Sequence, residues 1–372
     1  MTRCPFFGKC GGCKYDFTSP EYQQQKITSL PNITPTDSPI WIPSGTRRRA
    51  DFCFAPNQFG FYENKTKNII NIDNCDFLVN YLNPITRKHK GGNSYIFVLY
   101  SAQELDGDMS DMQDKRPHKV MKVSRNYDDV SPDKKILKSK FNSKFYREID
   151  VIKACNEVQN RNVVDLYADG HLFVTTKHGI MAFPFYVMDY ADYDLKKYLE
   201  EVDIDFNERI NICLQIATGI QGLCDAGYYH RDIKPDNILI FDGGEMKVAD
   251  LGLAAHRDDD ENDQEYGIIG PRGWLSPEAM NKYLSVGFND KNYDCKIDHQ
   301  SDIFQLGKLF WYIIQGNAPI GCINRNDYFD KNDDVYNLLR VMLNHSKNER
   351  PTSITEVIIE LKNILKKLSL YA

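Results

Sequence analysis

The stretch His230-Arg231-Asp232-Ile233-Lys234-Pro235-Asp236-Asn237 gathers two carboxylates, two cations and an amide into eight residues. Thirteen residues after Asn237 comes Asp250-Leu251-Gly252, and further on Ser276-Pro277-Glu278. Just upstream, Ile210, Cys213, Leu214, Ala217, Ile220 and Cys224 recur at helical spacing and predict an amphipathic helix. Ile354, Val357, Ile358, Leu361, Ile364, Leu365 and Leu368 do the same near the C-terminus, with Ser353 and Glu356 as a capping box. The chain changes character near residue 80; from Tyr95 onward the strand-like runs lengthen, and then long helices dominate to the end. That order predicts an α+β protein with a small sheet lobe and a larger helical lobe.

The three motifs, in this order and at these spacings, resemble the protein kinase family. Its catalytic loop reads H-R-D-x-K-x-x-N, followed by D-F-G and A-P-E. The resemblance runs from about Tyr95 to Leu370 and implies a bilobal fold that moves the γ-phosphate of ATP to a protein hydroxyl. Such transfer needs little covalent chemistry, so positioning and charge neutralisation carry the catalysis. The resemblance makes Asp232 the acceptor or orienter of the hydroxyl proton. It puts Lys234 on the transferred phosphate, and Asn237 and Asp250 on Mg2+. A lysine two residues after the Asp resembles Ser/Thr kinases rather than Tyr kinases.

The same comparison implies the nucleotide pocket. Val120-Met121-Lys122 resembles the strand whose lysine meets the α- and β-phosphates, and Glu148 on the following helix is the implied partner of Lys122. Tyr186-Val187-Met188-Asp189-Tyr190-Ala191 resembles the hinge strand. Met188 is then the gatekeeper, the backbone of Asp189 and Ala191 bonds adenine, and Val120 and Leu239 form apolar walls. Asp302, in a helix apolar nearly all round, matches the buried Asp that holds the catalytic-loop backbone. Arg350 matches the arginine that pairs with the Glu of A-P-E, here Glu278.

Several positions depart from the family pattern. Leu99–Met112 carries a single glycine where a glycine-rich loop belongs, with Gly107 and Ser110 as stand-ins. Leu251 replaces Phe, and Pro271 stands where Ser/Thr kinases carry Thr. Between Asp250 and Trp274 there is no Ser or Thr and one hydroxyl, Tyr266. Asp258, Asp259, Asp260, Glu261, Asp263 and Glu265 either substitute for an activating phosphate or form a solvated acidic loop. A pseudokinase scaffold that keeps the loop for shape is the competing reading.

The chain has 372 residues, ten cysteines and a net charge of −6. No apolar run is long enough to cross a bilayer, so a soluble, cytoplasmic protein with no membrane contact is expected. Cys4, Cys10 and Cys13 crowd the start, and a reducing compartment favours metal ligation over disulfides. Residues 49–55 and 59–63 predict a hairpin, with 68–72 a third strand and Cys53 a strand residue. Cys4–Cys13, Arg47–Phe52, Gly60–Tyr62 and Ile70–Cys75 resemble the iron–sulfur region of RNA uracil-5-methyltransferases, which makes Cys75 the fourth ligand. That resemblance implies a [4Fe-4S] cluster, with zinc as the alternative, but no methyl transfer, because no methyl-donor motif follows. Arg47, Arg48, Arg49, Lys65 and Lys67 make RNA or ribosome contact a third functional reading. The expected organisation is residues 1–80 as the Cys-rich domain, 81–94 as a linker and 95–372 as the kinase domain.

Overall fold

The computed structural model describes residues 50–55, 58–63, 69–71, 82–84, 94–99, 117–133, 135–158, 160–176, 179–258, 272–285, 293–330 and 332–371. The chain divides into two compact units. One is drawn from residues 1–114, 121–142 and 168–185, the other from 115–120, 143–167 and 186–372.

The first unit is built on a sheet. The strands of the sheet are β1 (Ala50–Ala55), β2 (Gln58–Glu63), β3 (Ile69–Asn71), β4 (Leu82–Pro84), β5 (Ser94–Leu99), β6 (Lys119–Ser124), β7 (Asp128–Val130), β8 (Ile136–Leu137), β9 (Ala168–Thr176) and β10 (Gly179–Asp189), with residues 119–120 of β6 and 186–189 of β10 counted in the second unit. The order is β1-β2-β3-β9-β10-β6-β5-β4, and β7 pairs with both β10 and β8. The expected hairpin forms in antiparallel register from Ala50↔Glu63 to Ala55↔Gln58. The third strand also forms, and it runs on into the later sheet, with Ile70 opposite Val174 and Asn71 opposite Phe173. Within the stretch expected as a linker, Leu82–Pro84 forms an edge strand on β5, a place where a proline's missing N–H costs nothing. Phe97, Val98, Leu99, Met121, Val123, Leu172 and Ala182 are buried in this unit. Beside them lies a closed polar network. The fully buried Asp128 accepts from Ser139 N–H at 2.7 Å and from Asn142 Nδ2 at 2.8 Å, while Ser124 Oγ donates to Asn142 Oδ1 at 2.7 Å.

The second unit is mainly helical. Its helices are α1 (Ser143–Glu157), α2 (Leu195–Glu201), α3 (Phe206–Asp225), α4 (Pro277–Leu284), α5 (His299–Gln315), α6 (Asp333–Met342) and α7 (Ile354–Tyr371). Short strands β11 (Tyr193–Asp194), β13 (Ile238–Ile240) and β14 (Met246–Val248) form one ladder, and β12 (Tyr228–Tyr229) pairs with β15 (Ala255–His256). The predicted stripe on α3 buries Ile210, Cys213, Ala217 and Ile220, but Ile212, Ile216, Gly219 and Leu223 are buried as well. The reason is position: α3 contacts α5, α7 and β14, so much more than one face is covered. Gly219 shows how closely. A Cβ there would lie 2.7 Å from Asn162 O and 2.9 Å from Val248 Cγ2.

Helix α5 opens with a capping box between Asp298 and Ser301 and ends at Gly316, whose φ of 79° suits a residue without Cβ. The capping box predicted for α7 forms by half. Ser353 Oγ accepts from Glu356 N–H, but the Glu356 carboxylate turns to the N–H and hydroxyl of Thr352 instead of to Ser353. Two donors on Thr352 outbid one.

Candidate active site

The segment after β12 is held from below by α5. Asp302, 2% exposed, accepts from the N–H of His230 at 2.7 Å and of Arg231 at 2.8 Å. Burial pushes its carboxyl up to about 7, against the pull of those two N–H groups and of the Arg231 charge. Arg231 takes a left-handed backbone with φ 71°, a conformation that costs a non-glycine residue roughly 1–2 kcal/mol. The paired N–H bonds hold it there. Next, Asp232 N–H donates to His230 Nδ1 at 3.2 Å. Full burial lowers the His230 pKa and keeps the ring neutral, as accepting that bond requires.

Asp232 is 4% exposed, and its two oxygens differ. Oδ2 accepts from Lys234 Nζ at 2.6 Å and from Asn237 Nδ2 at 3.0 Å. Oδ1 is buried with no hydrogen-bond partner. A buried carboxylate oxygen without a donor is costly, and such an atom calls for a functional explanation. Burial raises the Asp232 pKa, with Lys234 opposing.

Asn237 also donates through Nδ2 to Asp232 O at 2.8 Å. Both partners are acceptors, so the amide orientation is forced, and Oδ1 faces away with no hydrogen bond among the described residues. Asp250 is exposed and left-handed at φ 58°, directly before buried Leu251. A free amide oxygen and an exposed carboxylate fit a magnesium ion that keeps waters and leans on phosphate oxygens. Among the described residues no group of three or more His, Cys, Asp or Glu could hold a metal unaided.

A sequence profile described as the protein kinase domain matches residues 119–369, more than half of the chain. The chain belongs to the protein kinase family. Among its relatives is "Probable serine/threonine-protein kinase PknB" of Bifidobacterium longum, 27% identical over 54% of this chain and 26% of that protein. Others are "Cyclin-dependent kinase 12" of Drosophila melanogaster, 34% identical over 47% of this chain and 15% of that protein, and "Tyrosine-protein kinase Btk" of the same fly, 24% identical over 55% and 26%. The match spans about a quarter or less of the length of these curated relatives.

The other residues singled out from the sequence sit as follows. Val120 is buried, while Met188, Asp189, Ala191 and Leu239 are partly buried in the second unit. The Asp189 carboxylate accepts from Lys119 Nζ at 2.8 Å and from Tyr167 OH at 2.8 Å, which secures the end of β10. Tyr190 N–H donates to His118 O and Asp192 N–H to Ile240 O. Between them, the N–H and C=O of Ala191 enter no hydrogen bond among the described residues. Lys122 sits on β6 in the first unit, and Glu148 is buried on α1 in the second. α1 is secured to the residues after Asp250, for Arg147 Nη1 donates to Ala254 O at 3.1 Å.

Arg350 and Glu278 meet as expected, in a bidentate pair at 2.9 and 3.0 Å. The other Arg350 hydrogens reach Asn344 O, Gln300 O and His345 O, so all five of its N–H groups are used. Burial raises the Glu278 pKa, but the bonds and charge of Arg350 and the Ser301 hydroxyl outweigh it and hold the carboxyl below its usual range.

Sequence reading missed two residues of this machinery. Ser301 donates to Glu278 Oε1 at 2.6 Å, and Gln305 bonds the backbone on both sides of Asp232. Both lie within one turn of Asp302 on α5, but their partners are distant in sequence and only the fold shows what they touch. Cys4, Cys10, Cys13, Cys75, Arg47–Arg49, Lys65, Lys67, Gly107, Ser110, Asp259–Glu265, Tyr266 and Pro271 lie outside the described residues.

Proposed function

We propose that this chain is an active Ser/Thr protein kinase. Asp232 Oδ1 carries the reading: it is the one oxygen of the loop's carboxylate left without a donor, and it takes the hydrogen of the attacking alcohol. Lys234, already on Oδ2, keeps Asp232 ionised and reaches the phosphoryl group in transfer. Asn237 Oδ1 and the Asp250 carboxylate would hold Mg2+, which when bound would neutralise phosphate charge. Lys122, supported by Glu148, takes the α- and β-phosphates. Val120, Met188, Leu239 and the peptides of Asp189 and Ala191 hold adenine. Ser/Thr specificity rests on Lys234 and on the names of several relatives.

Incubation of the full chain with labelled ATP, Mg2+ and a generic protein substrate tests this. Phosphoserine or phosphothreonine is the expected product, abolished in Asp250→Asn; no label above that variant leaves a scaffold. Residues 1–80 are read as an accessory domain with a [4Fe-4S] cluster on Cys4, Cys10, Cys13 and Cys75, on resemblance alone. Iron and sulfide assay after anaerobic purification decides it, and a zinc-only result overturns it.

A further inference from the structure

We infer that Gln305 is a positioning residue for Asp232, an inference that rests on the kinase reading above. Two peptide groups flank Asp232, and their four polar atoms are all held. In the first, Arg231 O accepts from Gln305 Nε2 at 3.2 Å and Asp232 N–H donates to His230 Nδ1 at 3.2 Å. In the second, Asp232 O accepts from Asn237 Nδ2 at 2.8 Å and Ile233 N–H donates to Gln305 Oε1 at 3.0 Å. Gln305 is the one side chain among the described residues that bonds both peptides.

The chemistry demands an amide. Gln305 is 2% exposed, so it must meet one acceptor and one donor without water. Only a carboxamide offers an N–H and a C=O about 2 Å apart at the end of one side chain. A carboxylate there would offer acceptors alone, three residues from the buried Asp302 carboxylate, and an asparagine would fall one methylene short. Asp302 secures the loop upstream, at His230 and Arg231. About Asp232 itself, His230 and Asn237 each hold one peptide atom, and Gln305 spans both peptides. Arg231, held at φ 71°, adds to the need, because a left-handed residue next to the reacting carboxylate relaxes once its carbonyl is released.

Full-length wild type, Gln305→Met and Gln305→Ser are compared for kcat and for KM toward ATP. Exchange of the Ile233 amide is followed alongside. Methionine fills the same volume without either bond; serine admits water. A fall in kcat of about ten- to a hundredfold is expected, with KM for ATP within about twofold. Exchange at Ile233 quickens while amides within α5, such as that of Leu309, keep their protection. Wild-type kcat in the folded variants, or a loss lying wholly in KM, overturns the proposal. So does failure of both variants to fold, which would assign Gln305 to core stability. If wild type itself shows no transfer, the kinase reading fails first. The exchange then decides alone, unchanged Ile233 protection overturning the positioning role and faster exchange supporting it.

Discussion

At the scale of single residues, the site is organised by which lone pairs are occupied. Lys234 and Asn237 take one oxygen of Asp232 and leave the other without a donor, open on the proposed reading to an incoming alcohol. Lys234→Ala removes a 2.6 Å charge-assisted bond and, on the proposed reading, a contact to the transferred phosphate, so kcat should fall about a hundredfold or more. Steady-state kinetics with saturating ATP checks it. The raised Asp232 pKa has a visible consequence, because only the ionised group accepts a proton. On acidification kcat should fall with an apparent pKa above the 3.8 of an ordinary aspartate. In Lys234→Ala, which loses the opposing charge, that limb should move further up. These residue types were legible because the loop brings Asp232, Lys234 and Asn237 together within six positions of sequence. Gln305 was not, since its contacts lie 72 and 74 residues away and only the packing of α5 creates them.

At the scale of elements, the helical unit depends on close approaches that pattern reading sees only in part. Gly219→Ala puts a methyl group 2.7 Å from Asn162 O, on rigid backbone, and should cost about 1–3 kcal/mol in denaturant unfolding. The helical stripe on α3 predicted four of its buried residues, but periodicity cannot say how many neighbours a helix will have. The Glu278–Arg350 pair was legible from motif order, while Ser301 was not. Arg350→Ala leaves the buried Glu278 carboxylate with the Ser301 hydroxyl but without its cation, and takes a donor from each of three carbonyls, so a loss of about 3–5 kcal/mol is expected. Glu278 titrates below 4.5 in the folded protein, so its stabilisation is complete above that pH and drains away as acid is added. Wild type should therefore lose melting temperature from about pH 4.5 downward more steeply than Arg350→Ala.

At the scale of the whole chain, the strands of the first eighty residues do not stop at a boundary. β3 lies against β9, and β4 caps β5. A chain trimmed to residues 95–372 would bare both edges, and bare edges invite association. Lower solubility and a lower melting temperature than the full chain are expected on size exclusion and calorimetry. Equal behaviour would support the independent domain that composition suggested. Composition registers a change of character near residue 80, yet β-pairing between distant stretches leaves no mark on local composition.

The two-residue ladder between Tyr228–Tyr229 and Ala255–His256 reaches beyond its size. With Arg257 N–H donating to Gly227 O, it fastens the chain just ahead of residues 259–271, and Glu278–Arg350 fastens it just behind. Cutting the chain between those moorings should therefore yield two pieces that travel as one in a native gel and separate only in detergent.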